Sequence, residues 1–571
     1  MKTKITTLFF SVILGMNLGL MNAQSPTFQW ADGVGGTNND AAKAIALDAS
    51  GNVFHVGLFN GSVDFDPGAG SFSLTAVTVG AGGGYVSKLD PLGNFIWAVA
   101  IPGPAEAVAT DASGNVYVTG TFTNTQDFDP GAGVLNFTTS SSNYTDAYVV
   151  KFSNSGSFIW AAQIGGIDAE SPESIATDAS GNVVLCGSFK NTVDFDPGVG
   201  TYTMASAGTG DGFAMKLNSS GSFMWAAKFG SIYSGESAYD IVTDATGNVF
   251  VSGAFAGSVD FDPSAASFSL TSTGGTDAYV VKLDAGGNYS WAKSFGNSLN
   301  GDGSTIALDA SGNVYVGGTF AGTVDFDPSS SGTYTVASVG TSADSYISKL
   351  DASGNFIFVK AIGGTGLDKC KELQVSPSGT IFYVGYYSNT VDFDPSSSGT
   401  FTMTAAGSQD SFASMLDGNG NFIWVGGLSP WQYDYMEGVA IGASNEVYIS
   451  GSFLLTTDFD MGSGTFNLNG NGGNDIFVTK LNIGASGIKE IGSSFVNVNL
   501  YPNPSNGHFT LLLSDELKNA EVVISDAIGK EVLRQPVNNI KQMELNINTP
   551  GLYFITLTSE EKRSTKKIVI Q

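Results

Sequence analysis

The chain is poor in the residues that usually carry chemistry. Among its 571 residues there are two cysteines, two histidines and, before residue 534, no arginine. Cys186 and Cys370 occupy unmatched positions and make no disulfide framework. They read as isolated buried thiols. His55 and His508 lie far apart, so a Ser–His–Asp triad has no supporting motif. Without arginine over most of the chain, a sialidase-like site would lack the group that grips a substrate carboxylate. After residue 20 no apolar run approaches the roughly 20 residues that cross a bilayer.

Basic residues are scarce as well. Residues 24–483 carry 13 lysines against 43 acids, whereas residues 484–571 are balanced. An acidic surface of that kind excludes nucleic acid and anionic membranes as partners. The start of the chain differs from both regions. Lys2 and Lys4 precede an apolar stretch over residues 5–20, and Met21-Asn22-Ala23 ends in a small residue. This is the pattern of a secretory signal peptide over residues 1–23, with cleavage between Ala23 and Gln24.

Glycine and aromatics are abundant. There are 75 glycines, and Phe, Trp and Tyr make up 12% of the chain, which suits short strands joined by tight turns. One motif organises them. Asp-Phe-Asp recurs at Asp64, Asp127, Asp194, Asp260, Asp325, Asp392 and Asp458, and it is followed by Pro in all but the last copy. The spacing is 63 to 67 residues, so one supersecondary unit is copied seven times. In the copy around Asp194 the pattern predicts a short strand ending at Asp178 and a turn Asp178-Ala-Ser-Gly-Asn182. A second strand follows over 183–189, then a third near 212–217 and a fourth starting at Phe223. Four such strands form an antiparallel sheet that needs neighbours on both faces, which is a propeller blade. The array starts with a lone fourth strand around Trp30 and ends with a lone third strand over 476–481. Joining the two completes a blade and removes the open edges. The expected fold is all-β: a seven-bladed β-propeller of four-stranded antiparallel blades over residues 24–482, a linker over 483–495, and a small β-sandwich over 496–571.

Segments such as Asp277-Ala-Tyr-Val-Val-Lys-Leu-Asp284 and Asp111-Ala-Ser-Gly-Asn-Val-Tyr-Val-Thr-Gly-Thr-Phe122 resemble the bacterial SBBP-type β-propeller repeat. That resemblance implies a propeller outside the cytoplasm and names no ligand. The tail is similar to the type A C-terminal sorting domain of the type IX secretion system of Bacteroidota. The matching residues are Tyr501, Pro502, Asn503, Pro504 and Gly507, then Asp526 and Gly529, then Gly551 and Tyr553, then the basic end Lys566-Lys-Ile-Val-Ile570. This resemblance implies passage through the periplasm to the cell surface or the medium, with the secretion machinery as partner.

Two sets of residues are candidates for function. The paired acids Asp64/Asp66, Asp127/Asp129, Asp194/Asp196, Asp260/Asp262, Asp325/Asp327, Asp392/Asp394 and Asp458/Asp460 sit about 7 Å apart on one strand face. They are either turn-forming acids or ligands for Ca²⁺, which is the one candidate cofactor. A second series, Asp146, Asp211, Asp277, Asp344, Asp410 and Asp475, precedes the third strand and reads as backbone caps. Repeats six and seven depart most from the pattern, at Asp368-Lys-Cys-Lys-Glu372, at Tyr386-Tyr387 and at Pro430-Trp-Gln-Tyr-Asp-Tyr435. In the last cluster Trp431, Tyr433 and Tyr435 are candidate carbohydrate contacts. A site repeated seven times does not define one catalytic centre. The expected role is therefore a monomeric, non-enzymatic binding or adhesion module for an extracellular glycan or protein. The alternatives are a carboxylate-dependent glycan hydrolase working near a central channel and a purely structural surface protein.

Overall fold

A computed structural model describes residues 25–77, 82–232, 236–297, 299–329, 331–428, 434–483, 498–513, 520–526, 530–537, 541–559 and 562–571. The signal region with Ala23 and Gln24, most of the linker, and Trp431 with Tyr433 lie outside the described residues. The chain divides into two compact units, one spanning 23–485 and the other containing 486–571.

In the larger unit each repeat builds one antiparallel sheet. In the third repeat the strands run Glu170–Thr177, Val183–Phe189, Asp211–Leu217 and Phe223–Phe229, paired in that order. The second and third strands are buried along nearly their whole length, which explains their continuous runs of Val, Leu, Phe and Met. The turn between the first two strands is held by Asp178, whose Oδ1 accepts from the amides of Ser180 and Asn182 at 2.9 and 3.0 Å. Gly181 takes a φ of +72°, where a side chain would be strained.

The segment around each Asp-Phe-Asp is a small hairpin, an element beyond the four strands expected from the sequence. In the third repeat Thr192–Asp194 pairs with Thr203–Ala205. The hairpin also reaches the preceding repeat: Asp194 and Val193 pair with Gly165 and Gly166 at the end of the fourth strand Phe158–Gly166. The same link recurs between Asp392 and Gly363, and as a bridge between Asp325 and Gly296. It covers a strand edge that would otherwise be open to solvent. Glycine is required at this junction, because a Cβ on Gly165 would stand 2.0 Å from the Asp146 carboxylate.

The core is aromatic and periodic. Phe195, the centre of its Asp-Phe-Asp, lies 5.2 Å from Phe189 on the second strand and 5.1 Å from Phe213 on the third, measured between ring centroids. Phe65 makes the same triad with Phe59 and Tyr85, and Phe326 with Phe320 and Tyr346. A buried ion pair within the repeat holds a lysine that reaches the next one. Lys216 Nζ lies 2.9 Å from Asp178 Oδ2 and donates to the Ala285 carbonyl of the next repeat at 3.4 Å. Burial raises the Asp178 pKa, but bonds from Lys216 and Asn182 outweigh it and hold the carboxyl below its ordinary value. Lys88 with Asp48 and Lys151 with Asp111 repeat the arrangement. The fourth-strand tryptophans reach the same turns: Trp97 Nε1 donates to Asn154 O at 3.0 Å and Trp160 Nε1 to Ser219 O at 3.2 Å.

The ends of the repeat region meet. Thr27–Val34 pairs antiparallel with Asp475–Asn482, so one sheet is assembled from both ends. Phe28 lies 5.0 Å from Phe466 across that seam. The first strands follow one another in sequence: Ala41–Leu47, Ala105–Thr110, Glu170–Thr177, Ser237–Thr243, Asp302–Leu308, Lys369–Val375 and Tyr435–Ile441 each lie against the next. Tyr435–Ile441 lies against Ala41–Leu47 again.

The C-terminal unit holds two antiparallel sheets. Val498–Tyr501, His508–Leu513 and Gln542–Asn546 form one. Glu531–Val537, Ala520–Asp526, Gly551–Ser559 and Lys562–Ile570 form the other. Both contribute to one core that includes Phe509, Leu511, Val522, Ile524, Ile555 and Ile568. The strand Glu531–Val537 shows little strand pattern in its sequence. It is an edge strand, mostly exposed and carrying Pro536, so it lacks the apolar alternation that marks a strand.

Candidate functional site

The Asp-Phe-Asp acids work on their own loop. Asp64 Oδ1 accepts from the amides of Asp66 at 3.2 Å and Phe72 at 2.7 Å, and Asp66 Oδ1 accepts from Gly68 N at 2.9 Å. The Phe72 amide bond is the main cause that holds the Asp64 carboxyl below its ordinary pKa. The six other copies repeat this pattern. Asp127, Asp194, Asp260, Asp325, Asp392 and Asp458 each take the amide two residues on at 3.1 Å and a second, eight or nine residues on, at 2.8 Å. Asp129, Asp196, Asp262, Asp327, Asp394 and Asp460 each cap the amide two residues on. The acids thus close the hairpin while the Phe between them fills the core. Among the described residues no three of His, Cys, Asp or Glu come together as a metal centre would need.

The acids at the start of the third strand are buried at the junction between repeats. Asp211 Oδ2 accepts from Ala207 N at 2.9 Å, Asp344 Oδ2 from Val339 N at 2.8 Å and Asp410 Oδ2 from Ala406 N at 2.9 Å. Burial raises the pKa of Asp146, Asp277 and Asp475 to about 6, and that of Asp344 to about 7, where the Asp368 carboxylate adds to the effect. His55 is a core residue facing Tyr85, and burial pushes its pKa down to about 3. Cys186 and Cys370 are free and fully buried. Tyr435 opens the first strand of the seventh repeat opposite Ser452.

The site that sequence reasoning missed is built by the first strands. All seven line one open cavity of about 590 Å³. In every repeat the pairing of first and second strand is interrupted at the same place. The register shifts at Lys43, Glu106, Glu173, Tyr239, Lys371 and Glu437, and at Ser304 within the irregularity between Asp302 and Thr305. These are β-bulges, and a bulge re-aims the side chain it carries. Each of the seven residues lines the cavity. They vary from repeat to repeat: Lys, Glu, Glu, Tyr, Ser, Lys and Glu in order.

Behind them runs a partial polar girdle. Asp240 accepts from Ser174 Oγ at 2.7 Å, Thr305 Oγ1 at 3.2 Å and Ile306 N at 2.8 Å, so it ties three repeats together. Glu372 Oε2 accepts from Val439 N at 3.2 Å. Burial and the neighbouring Asp240 charge raise the Glu372 pKa to about 8. Lys371 Nζ lies 3.1 Å from Glu437 Oε2. Burial raises the Glu173 pKa, its bond from Ser171 opposes this, Glu106 raises it further, and Lys371 and Lys43 pull it back. Tyr239 is pushed to about 12 by burial and by Asp302 and Glu173. The one sequence signal for this site was Asp368-Lys-Cys-Lys-Glu372, which contributes Lys369, Lys371 and Glu372 to the cavity.

In the C-terminal unit the candidate motif residues bond the backbone, and Asn503 does so on the last strand. Asn503 Nδ2 donates to Lys567 O at 2.8 Å, and its Oδ1 accepts from Val569 N at 3.1 Å. Gly507, at a φ of +110°, passes its carbonyl to Ile547 N at 2.9 Å. Tyr553 OH donates to Thr549 O at 2.9 Å.

Among known proteins, an uncharacterized WD repeat-containing protein, L264, of Acanthamoeba polyphaga mimivirus is 24% identical over 497 residues. The match covers 74% of this chain and 36% of the relative, so the chain spans about a third of that protein's length. Two solved structures of the extracellular domain of BT4673 from B. thetaiotaomicron, described as a putative hybrid two component system and a putative one component system, align at 10% identity. They cover 95% and 96% of this chain and all of their own, at TM-scores of 0.16 and 0.15, too low to bear on the fold. Residues 499–571 match the family of the secretion system C-terminal sorting domain, which makes this an exported protein, delivered to the cell surface or the medium by the secretion machinery its tail engages.

Proposed function

We propose that the protein is a seven-bladed β-propeller, exported through the type IX system after removal of residues 1–23, that binds an extracellular ligand at the mouth of its central channel and performs no catalysis there. The propeller reading is supported by the cyclic succession of first strands and by the SBBP-like repeats. The observation that carries the binding reading is the alignment of variation with geometry. A position whose charge changes from repeat to repeat is also where a bulge in every repeat turns a side chain into one shared cavity. Its volume is that of a small-molecule pocket. The repeated Asp-Phe-Asp acids are read as structural, since their amide bonds account for the arrangement.

The test is a screen of extracellular glycans and peptides against the full protein and a variant with Glu106, Glu173 and Lys371 all changed to Ala. A ligand held by the native protein and lost by the variant supports the reading. A ligand held equally by both dismisses the channel as the binding surface.

A further inference from the structure

The bulge residues are unequally charged around the ring. Following the order in which the first strands touch, Glu106, Glu173 and Tyr239 occupy three successive repeats. Lys371, Glu437 and Lys43 occupy three others, also successive. The first arc presents two carboxylates beside an aromatic ring. The second presents two ammonium groups with one carboxylate between them, and the Lys371–Glu437 pair at 3.1 Å leaves Lys43 as its uncompensated charge. Among the described residues no hydrogen bond or ion pair occupies Lys43 or Glu106, although both side chains are half-buried at the cavity wall. A structural role would leave such charges paired, as Lys216 and Asp178 are. The two arcs share one electrostatic space, since Lys43 and Lys371 both act on the Glu173 carboxyl.

We propose that the channel mouth takes a small dipolar ligand bearing a free ammonium and a free carboxylate, such as an amino acid or short peptide. The ammonium sits on the Glu106–Glu173–Tyr239 arc and the carboxylate on the Lys43–Lys371 arc. This rests on the reading of the mouth as a binding site and narrows it to one ligand class. A carboxylate pair beside an aromatic face suits an ammonium, because the ring quadrupole and both anions attract the same charge. Segregated charges also orient a ligand, since reversing it would set like charges together. A ligand with one charge would leave one arc unanswered.

The test uses calorimetry on the full chain with triglycine, N-acetyltriglycine and triglycinamide, which share a backbone and differ in their end charges. Triglycine is expected to bind at least tenfold more tightly than either capped form. Glu173→Gln should abolish its advantage over the N-acetyl form, and Lys43→Met should abolish its advantage over the amide. Unchanged melting temperatures of both variants exclude misfolding as the cause. The proposal is overturned by a capped form that binds as tightly as triglycine, by preferences that survive the substitutions, or by no binding of triglycine. Spermidine, citrate and maltotriose, titrated in parallel, separate the two levels. If one of them binds the native protein and not the triple Ala variant, the mouth remains a binding site and only the dipolar class falls. If none of the six probes responds to the substitutions, both readings fall.

Discussion

The outer three strands of each repeat and its first strand follow different rules. The outer strands are built from interchangeable parts: an aromatic triad, a Lys–Asp pair reaching the next repeat, and a hairpin closed by two acids. The first strand bulges at one place in every repeat and carries Lys, Glu, Tyr or Ser there. Where residues are repeated, a neighbouring strand or turn explains each of them. At the bulge, where the residues vary, the cavity is the common neighbour. On the proposed reading, stability and recognition fall to different strands of one unit.

That contrast can be broken most severely at the seam. Removing residues 24–34 deletes the strand paired with Asp475–Asn482. Trp30, Ala31, Val34 and the Phe28–Phe466 contact are lost together. At roughly 1.5–3 kcal/mol per large apolar side chain, the loss exceeds about 4 kcal/mol, read as a fall in melting temperature. An unchanged melt would show that the seam does not hold the unit.

Truncating one triad comes next. Phe326→Ala removes a fully buried ring between Phe320 and Tyr346 and is expected to cost about 3–5 kcal/mol in urea unfolding. Lys216→Met strands a buried Asp178 and should cost about 3 kcal/mol. The sixth repeat supplies the control, because it carries Ser376 and Met415 where the third has Asp178 and Lys216. Adding Asp178→Ser to Lys216→Met should restore part of the loss, and a double variant no better than the single would refute the latch.

A smaller effect is expected from pH. Asp146, Asp277 and Asp475 titrate near 6 in the fold and Asp344 near 7, against an ordinary value of 3.8. A raised folded pKa favours the neutral acid. Its stabilising contribution is therefore full below the unfolded value and is lost as pH climbs through the folded one. Melting temperature should decline between about pH 4 and pH 8, and Asp344→Asn should flatten the curve. The smallest effect belongs to the first strands. Glu106→Ala and Glu173→Ala should each move stability by less than about 0.5 kcal/mol, because neither side chain holds a neighbouring repeat in place. A large destabilisation there would erase the distinction between the two parts of the repeat.

Much of the outer part was readable in advance. The second strand Val183–Phe189 follows from its apolar run, and the turn at Asp178 from its Asp, Gly and Asn. The hairpin at Thr192–Asp194 escaped because three residues are too few to show alternation, and its return strand Thr203–Ala205 is held by pairing rather than by an apolar face. The cavity escaped for another reason. A bulge is a register shift between two strands, and neither strand records it alone. Lys371 and Glu372 stand out in the sequence as departures from the repeat, whereas Lys43, Glu106 and Glu173 belong to no motif there.

The sequence by itself determined the repeat, its length, the identity of its buried and turn residues, and the exported character of the chain, because all of these rest on local pattern and on motifs contiguous in the chain. Only the tertiary structure showed which amides the Asp-Phe-Asp acids bind and which residues share the cavity. The first acid of each pair takes an amide eight or nine residues away, and the cavity is made of residues about 65 positions apart in sequence that meet only when each first strand lies against the next.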